Sequence, residues 1–128
     1  MSATGRCLCG AVRYEIDGPL RNVSVCHCVE CRRWHGSPAG YTSAPNEALR
    51  LTGEASLRWI DSPESDAGAR RGFCGDCGSS LFWDAPDRET ISIAAGTLDE
   101  PTGLKTIRQI YTAEAGDYYE VDAWLPRS

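Results

Sequence analysis

A chain of 128 residues has the length of one domain and can bury a real core without a partner. Its 41% hydrophobic and 24% charged residues are those of a soluble globular protein, which excludes a disordered or fibrous chain. The formal charge of −5 argues against nucleic acid, because a phosphate backbone repels such a surface unless basic residues gather on one face.

In chain order, strands are predicted over residues 11–16 and 22–26, a helical turn over 29–35, and then strands over 39–42, 49–51, 56–60, 70–73, 80–83, 90–94, 106–111 and 119–123. Turn chemistry separates them at Asp17-Gly18-Pro19, Thr52-Gly53-Glu54, Asp61-Ser62-Pro63, residues 84–88 and Asp99-Glu100-Pro101. No repeat, linker or low-complexity stretch interrupts the series. The expectation is a single domain over residues 1–128, mainly β, with antiparallel sheets and little helix. No apolar run is long enough to cross a bilayer, and the first seven residues carry no apolar h-region. A cytoplasmic protein without a membrane partner is therefore expected. The adjacent basic pairs, Arg32-Arg33 and Arg70-Arg71, read by default as solvated surface arginines.

Seven cysteines stand in three clusters, Cys7-x-Cys9, Cys26-x-Cys28-x-x-Cys31 and Cys74-x-x-Cys77, and none lies elsewhere. Disulfides account for them poorly. The number is odd, neighbours two residues apart cannot bridge without strain, and a reducing compartment favours metal thiolates. The partition suggests one four-thiolate and one three-thiolate zinc site. Four protein ligands close a zinc and make it structural, whereas three leave a position for water or substrate. Two filled sites would take the net charge to about −8.

Cys7, Cys9, Cys74 and Cys77 are the predicted closed set. On an extended strand Cys7 and Cys9 would share a face, and Cys74-Gly75-Asp76-Cys77 is a tight loop of the zinc-ribbon kind. Gly10 and Gly78 follow the two pairs, which lets backbone N–H groups turn toward the sulfurs. Cys26, Cys28 and Cys31 are the predicted open set. His27, Glu30, His35 or a more distant carboxylate are the alternatives that would close it.

The order Cys-x-Cys-Gly, Cys-His-Cys-x-x-Cys, Cys-x-x-Cys-Gly resembles the glutathione-dependent formaldehyde-activating enzyme family, also called the centromere protein V type. Residues 7–14, 26–33 and 71–81 carry the resemblance, with residues 117–126 similar to the family's closing segment. It implies an Mss4-like, tent-shaped β architecture stapled by zinc. By the same resemblance, Cys7, Cys9, Cys74 and Cys77 hold a structural zinc and Cys26, Cys28 and Cys31 a catalytic one, two Zn²⁺ per chain. The implied reaction is that of a carbon–sulfur lyase joining glutathione and formaldehyde as S-hydroxymethylglutathione.

On this reading a small-molecule thiol, or its adduct with an aldehyde, is the partner, and a thiol at the open position loses its proton. His27, Glu30 and His35 are the nearby candidates for handling the aldehyde-oxygen proton. Arg32, Arg33, Arg70 and Arg71 are candidates to clamp carboxylates. Two other readings stand beside it. One is a zinc-stabilised binding module, and the other a redox sensor in which a thiolate of the triple cluster oxidises. The oligomeric state is open.

Overall fold

The computed structural model describes residues 2–63 and 65–128. In chain order the elements are β1 (Ser2–Arg6), β2 (Arg13–Asp17), β3 (Val23–Cys26), helix α1 (Val29–His35), β4 (Ala39–Pro45), β5 (Leu49–Thr52), β6 (Leu57–Asp61), β7 (Arg70–Cys74), β8 (Ser80–Asp84), β9 (Thr90–Ala94) and β10 (Thr106–Ile110). The chain is mainly β, as its alternating segments predict. A three-stranded sheet has the order β1-β2-β5, and a seven-stranded sheet the order β10-β3-β4-β9-β8-β7-β6.

All named pairings are antiparallel except that of β10 with β3, which is parallel. The sheet is therefore mixed rather than purely antiparallel. Parallel neighbours need a long connection, and here the rest of the large sheet lies between them in sequence.

The large sheet has two unlike faces, set by the two-residue period of its strands. In β4 and β9, Ala44, Ile91 and Ile93 point into the core with Phe82 of β8. They pack there against Tyr14 and Ile16 of the small sheet. The opposite face carries Ser24 and Cys26 of β3, Tyr41 and Ser43 of β4, Ser92 of β9, Trp83 of β8 and Arg71 of β7. The cross-strand pairs Ser24↔Tyr41, Ser43↔Ser92, Trp83↔Ser92 and Arg71↔Trp83 align them. A second, smaller apolar cluster of Cys26, Cys31, Ala39 and Tyr41 joins α1 to this face.

Helix α1 is short and capped at both ends. The Cys28 sulfur accepts from the Cys31 N–H at 3.3 Å, and Gly36, at φ 80, ends the helix by donating to the Arg32 carbonyl at 2.8 Å. The left-handed conformation is what glycine tolerates and other residues resist. Trp34 anchors the helix to the large sheet through Ser80, at 2.7 Å, and by an edge-to-face contact with Phe73.

Two predicted elements differ. The strand expected over residues 11–16 begins only at Arg13, and β1, which was not expected, pairs with β2 from Ser2↔Asp17 to Arg6↔Arg13. Ser-Ala-Thr-Gly-Arg has few strong strand formers, so tertiary pairing makes this edge strand. Residues 119–123 form no strand. Tyr119 turns inward to stack on His27, the Gln109 amide donates to the Asp122 carbonyl, and Trp124 is left 94% exposed. The bridge Gln109↔Arg127 also ties the tail to β10.

Candidate metal centres

The four-cysteine cluster lies where two hairpins meet. Cys7 and Cys9 sit in the turn between β1 and β2, not on an extended strand as expected. The turn brings the two sulfurs to 3.6 Å. The turn closes with the Gly10 N–H on the Cys7 carbonyl at 3.2 Å, and Gly10 takes φ 81. Cys74 ends β7 and Cys77 lies in the turn to β8, closed by Gly78 at φ 82.

Backbone N–H groups do reach the sulfurs, Val12 to Cys7 at 3.3 Å and Asp76 to Cys74 at 3.4 Å. Ser79 links the turns, accepting from the Leu8 N–H at 2.9 Å and lying 3.1 Å from the Cys77 sulfur. The four sulfurs lie within 4.8 Å of one another, with Cys9 and Cys74 at 3.8 Å. Tetrahedral metal–sulfur bonds of about 2.3 Å require sulfurs about 3.8 Å apart. The cluster can hold a metal ion.

Cys26, at the end of β3, Cys28, at the helix cap, and Cys31, in the first turn of α1, form the second cluster, again with sulfurs within 4.8 Å. The side chain not expected beside them is Arg71. It is 4% exposed rather than solvated, with Nη2 3.6 Å from the Cys31 sulfur and Nε donating to Ser62 Oγ at 3.3 Å. Its Nη1 is buried and has no hydrogen-bond partner among the described residues.

The cluster's ionisation is uneven. A hydrogen bond from Cys26, joined by the Arg71 charge, pulls the Cys31 thiol well below its usual range. The same bond to Cys31, together with burial, pushes Cys26 up. Burial raises Cys28. Three neighbouring thiols cannot all ionise on one arginine, and a shared divalent cation is the charge that would let them. Three thiolates and a divalent ion sum to −1, which Arg71 balances. These residues fit a metal ion.

Of the expected fourth ligands, His27 turns away. Its Nδ1 lies 2.8 Å from the Tyr119 hydroxyl and its Nε2 2.8 Å from Gln109 Oε1. Both nitrogens are thus engaged on the far side of the strand. His35 Nε2 is 2.5 Å from the Tyr41 hydroxyl, and burial with the Arg71 charge pushes its pKa down to about 4. Burial and the charge on Cys31 push the Tyr41 phenol up. Glu30 accepts a hydrogen bond from Ser62 Oγ at 2.5 Å.

Among the arginines singled out by sequence, Arg32 donates to the Glu114 carbonyl at 3.0 Å, Arg33 is exposed, and Arg70 pairs with Asp84 while stacking on Trp59. Only Arg71 of the four lines the cleft beside the second cluster. That cleft, about 760 Å³, is bounded by Cys26, Cys28, Cys31, Glu30, Tyr41 and Trp83, with Arg21, Arg88 and Arg108 also on its walls. Its volume suits a small-molecule ligand. Tyr41, Trp83 and these three arginines carried no motif that spacing could flag.

No helix among the described residues is long and apolar enough to cross a membrane. The chain is 30% identical over 79 residues to an uncharacterized lyase of Schizosaccharomyces pombe, an alignment covering 62% of this chain and 55% of the relative. The match thus spans about half of that relative's length. A crystal structure of a Rhodobacter sphaeroides protein is similar at 26% identity and a TM-score of 0.62, covering 76% of this chain and 88% of that one. The family model of the glutathione-dependent formaldehyde-activating enzyme matches residues 2–114, which takes in both cysteine clusters and stops short of the tail. With that match over most of its length, the chain belongs to the glutathione-dependent formaldehyde-activating enzyme family.

Proposed function

We propose that this chain is a single-domain, cytoplasmic zinc enzyme that makes or breaks the carbon–sulfur bond of a thiol–aldehyde adduct of the S-hydroxymethylglutathione type. Cys26, Cys28 and Cys31 hold the catalytic zinc in this reading, and Cys7, Cys9, Cys74 and Cys77 the structural one. The observation that supports it is the contrast between the clusters. One set of four sulfurs is complete in itself, whereas the set of three opens on a cleft beside a buried arginine.

A zinc ion held by three thiolates supplies a soft Lewis-acid position at which a thiol loses its proton. In the forward direction the thiol sulfur bonds to the aldehyde carbon, the carbonyl π pair moves onto oxygen, and the proton given up by the thiol ends there. Arg71 has a buried N–H without a hydrogen-bond partner among the described residues, which it can offer the oxygen as it gains charge. Tyr41 and Glu30 line the cleft and are the groups able to carry the proton. A neutral His35 ring orients the Tyr41 hydroxyl.

Cobalt substitution tests the reading. With Co²⁺ in both sites, titration with glutathione is expected to strengthen the thiolate-to-metal charge-transfer band as a fourth sulfur binds at the three-cysteine site. Cys31→Ala should abolish that response and any carbon–sulfur activity above the spontaneous background, while the four-cysteine spectrum stays. A cobalt spectrum indifferent to thiols and aldehydes would sink the catalytic reading and favour a zinc-stabilised binding module.

A further inference from the structure

The cleft has a second polar feature that the carbon–sulfur chemistry does not use. Arg21, before β3, donates through Nε to Ser43 Oγ at 3.0 Å, through Nη1 to Ser24 Oγ at 2.6 Å and through Nη2 to the Tyr41 carbonyl at 3.2 Å. Arg108, on β10, donates to the same Ser24 oxygen at 2.7 Å. Arg88, in the turn between β8 and β9, lies over the Trp83 ring at 5.2 Å and also lines the cleft. The three arginines are close enough that the charges of Arg108 and Arg88, after burial, push Arg21 below its usual range.

None of the three makes an ion pair among the described residues, although the chain carries a net charge of −5. Arg21 and Arg108 instead rest on the buried Ser24 and Ser43, and Arg88 donates to Thr90 Oγ1 at 3.3 Å. Two of the guanidinium groups thus have their Nε donors spent on protein oxygens, while each keeps N–H groups for a further acceptor. Glu30, Asp66 and Glu114 line the same cleft, yet no ion pair joins a carboxylate to these three arginines among the described residues, so their gathered like charges await an anion.

We infer that Arg21 and Arg108, seated on Ser24 and Ser43, together with Arg88 over Trp83, form an oxyanion subsite that holds a carboxylate or phosphate carried by the thiol substrate. The inference rests on the reading of the three-cysteine end as the place of the sulfur. Ser24 and Cys26 stand on one face of β3, two residues apart, which is about 7 Å along a strand. The subsite therefore selects thiols whose anionic group lies on the order of 7 Å from the sulfur. It also supplies the clamp that Arg32, Arg33 and Arg70 do not.

The test compares 6-mercaptohexanoate with 6-mercaptohexanol, which share the sulfur end and differ in charge at the other. Calorimetric titration of the zinc-loaded full chain is expected to give about tenfold tighter binding for the acid. Arg108→Gln and Arg88→Gln, both at exposed positions that leave the half-buried Arg21 and its bonds to Ser43 and Ser24 in place, should each remove most of that advantage without weakening the alcohol. Equal affinity for the two thiols, or an advantage that survives both substitutions, would overturn the subsite. Adipate and inorganic phosphate separate this inference from the thiol reading. Either anion should shift the arginine Nε–H resonances of the wild-type chain but not those of the double variant, and which one does so identifies the oxyanion. Should neither thiol bind while an anion still shifts these resonances, the sulfur reading fails and the subsite stands. Resonances unmoved by both anions would sink the subsite whatever the thiols do.

Discussion

A buried guanidinium is costly unless a charge answers it, so Arg71 and the triple-cysteine cluster constrain each other. The Cys26 hydrogen bond and the Arg71 charge already favour the Cys31 thiolate, so an incoming divalent ion has chiefly the other two thiol protons to displace and the loaded cluster carries −1. Arg71 favours loading by sparing it that third proton. Arg71→Gln is accordingly expected to lower metal affinity at the three-cysteine site by about 10–100-fold, the usual cost of losing a partner behind the ligands, and to leave the four-cysteine site unchanged. Competition with a chromophoric chelator reads the two sites separately, and equal losses at both would contradict the pairing. His35 makes a second prediction at this scale. Its folded pKa lies at about 4 against an ordinary 6.5, so between these values the unfolded chain takes up the proton and the native chain does not. Stability should be full above pH 6.5 and fall as the pH drops toward 4. Denaturation across this range should show a shallower acid slope in His35→Gln than in the wild type at matched metal content.

Among the elements, the two cysteine turns need the most from the backbone around them. Gly53, after β5, lies against the first turn with φ 82, and a Cβ there would meet the Ala11 carbonyl oxygen at 1.8 Å. Gly36, the α1 cap, has a similar φ of 80 and open space around it. The left-handed conformation alone costs a non-glycine residue about 1–2 kcal/mol. Gly36→Ala should show that cost and little more. Gly53→Ala adds a backbone collision that only displacement of residues 11–12 relieves, so it should cost clearly more and loosen metal at the four-cysteine site. Urea midpoints and metal retention of the two variants make the comparison, and matching losses would show that the contact at residue 11 carries no weight.

For the whole molecule, the four-cysteine cluster joins the hairpin of the small sheet to the β7–β8 hairpin of the large one. It therefore closes the apolar core along one end. Structural zinc contributes roughly 10–16 kcal/mol in small zinc domains, comparable to the whole net stability of about 5–15 kcal/mol. Cys74→Ala or Cys9→Ala should unfold or insolubilise the chain. Cys28→Ala, whose site lies on the outer face of the large sheet, should leave it folded with one metal per chain in place of two. Elemental analysis and thermal melting of these variants test the division of labour, and alike melting curves would refute it.

What the sequence determined by itself is whatever depends on spacing over a few residues. Metal ligands recur within turns of two to five residues, so seven cysteines could be sorted into four and three before any fold was known, and the α1 segment could be placed at residues 29–35. Strand segments could be placed because their alternation is local, except where β1 lacked strand formers and where the tail alternated without a partner. Only the tertiary structure decided what stands beside the cysteines. Arg71 comes to Cys31 from forty positions away, carried by the register of β7 on β8, and Arg108 comes to Ser24 through a parallel pairing. The same folding takes His27, adjacent to Cys26 and Cys28 in sequence, away from the cluster through its bonds to Gln109 and Tyr119. Register is a property of paired strands and of the core that favours one pairing, and no spacing within a single segment encodes it.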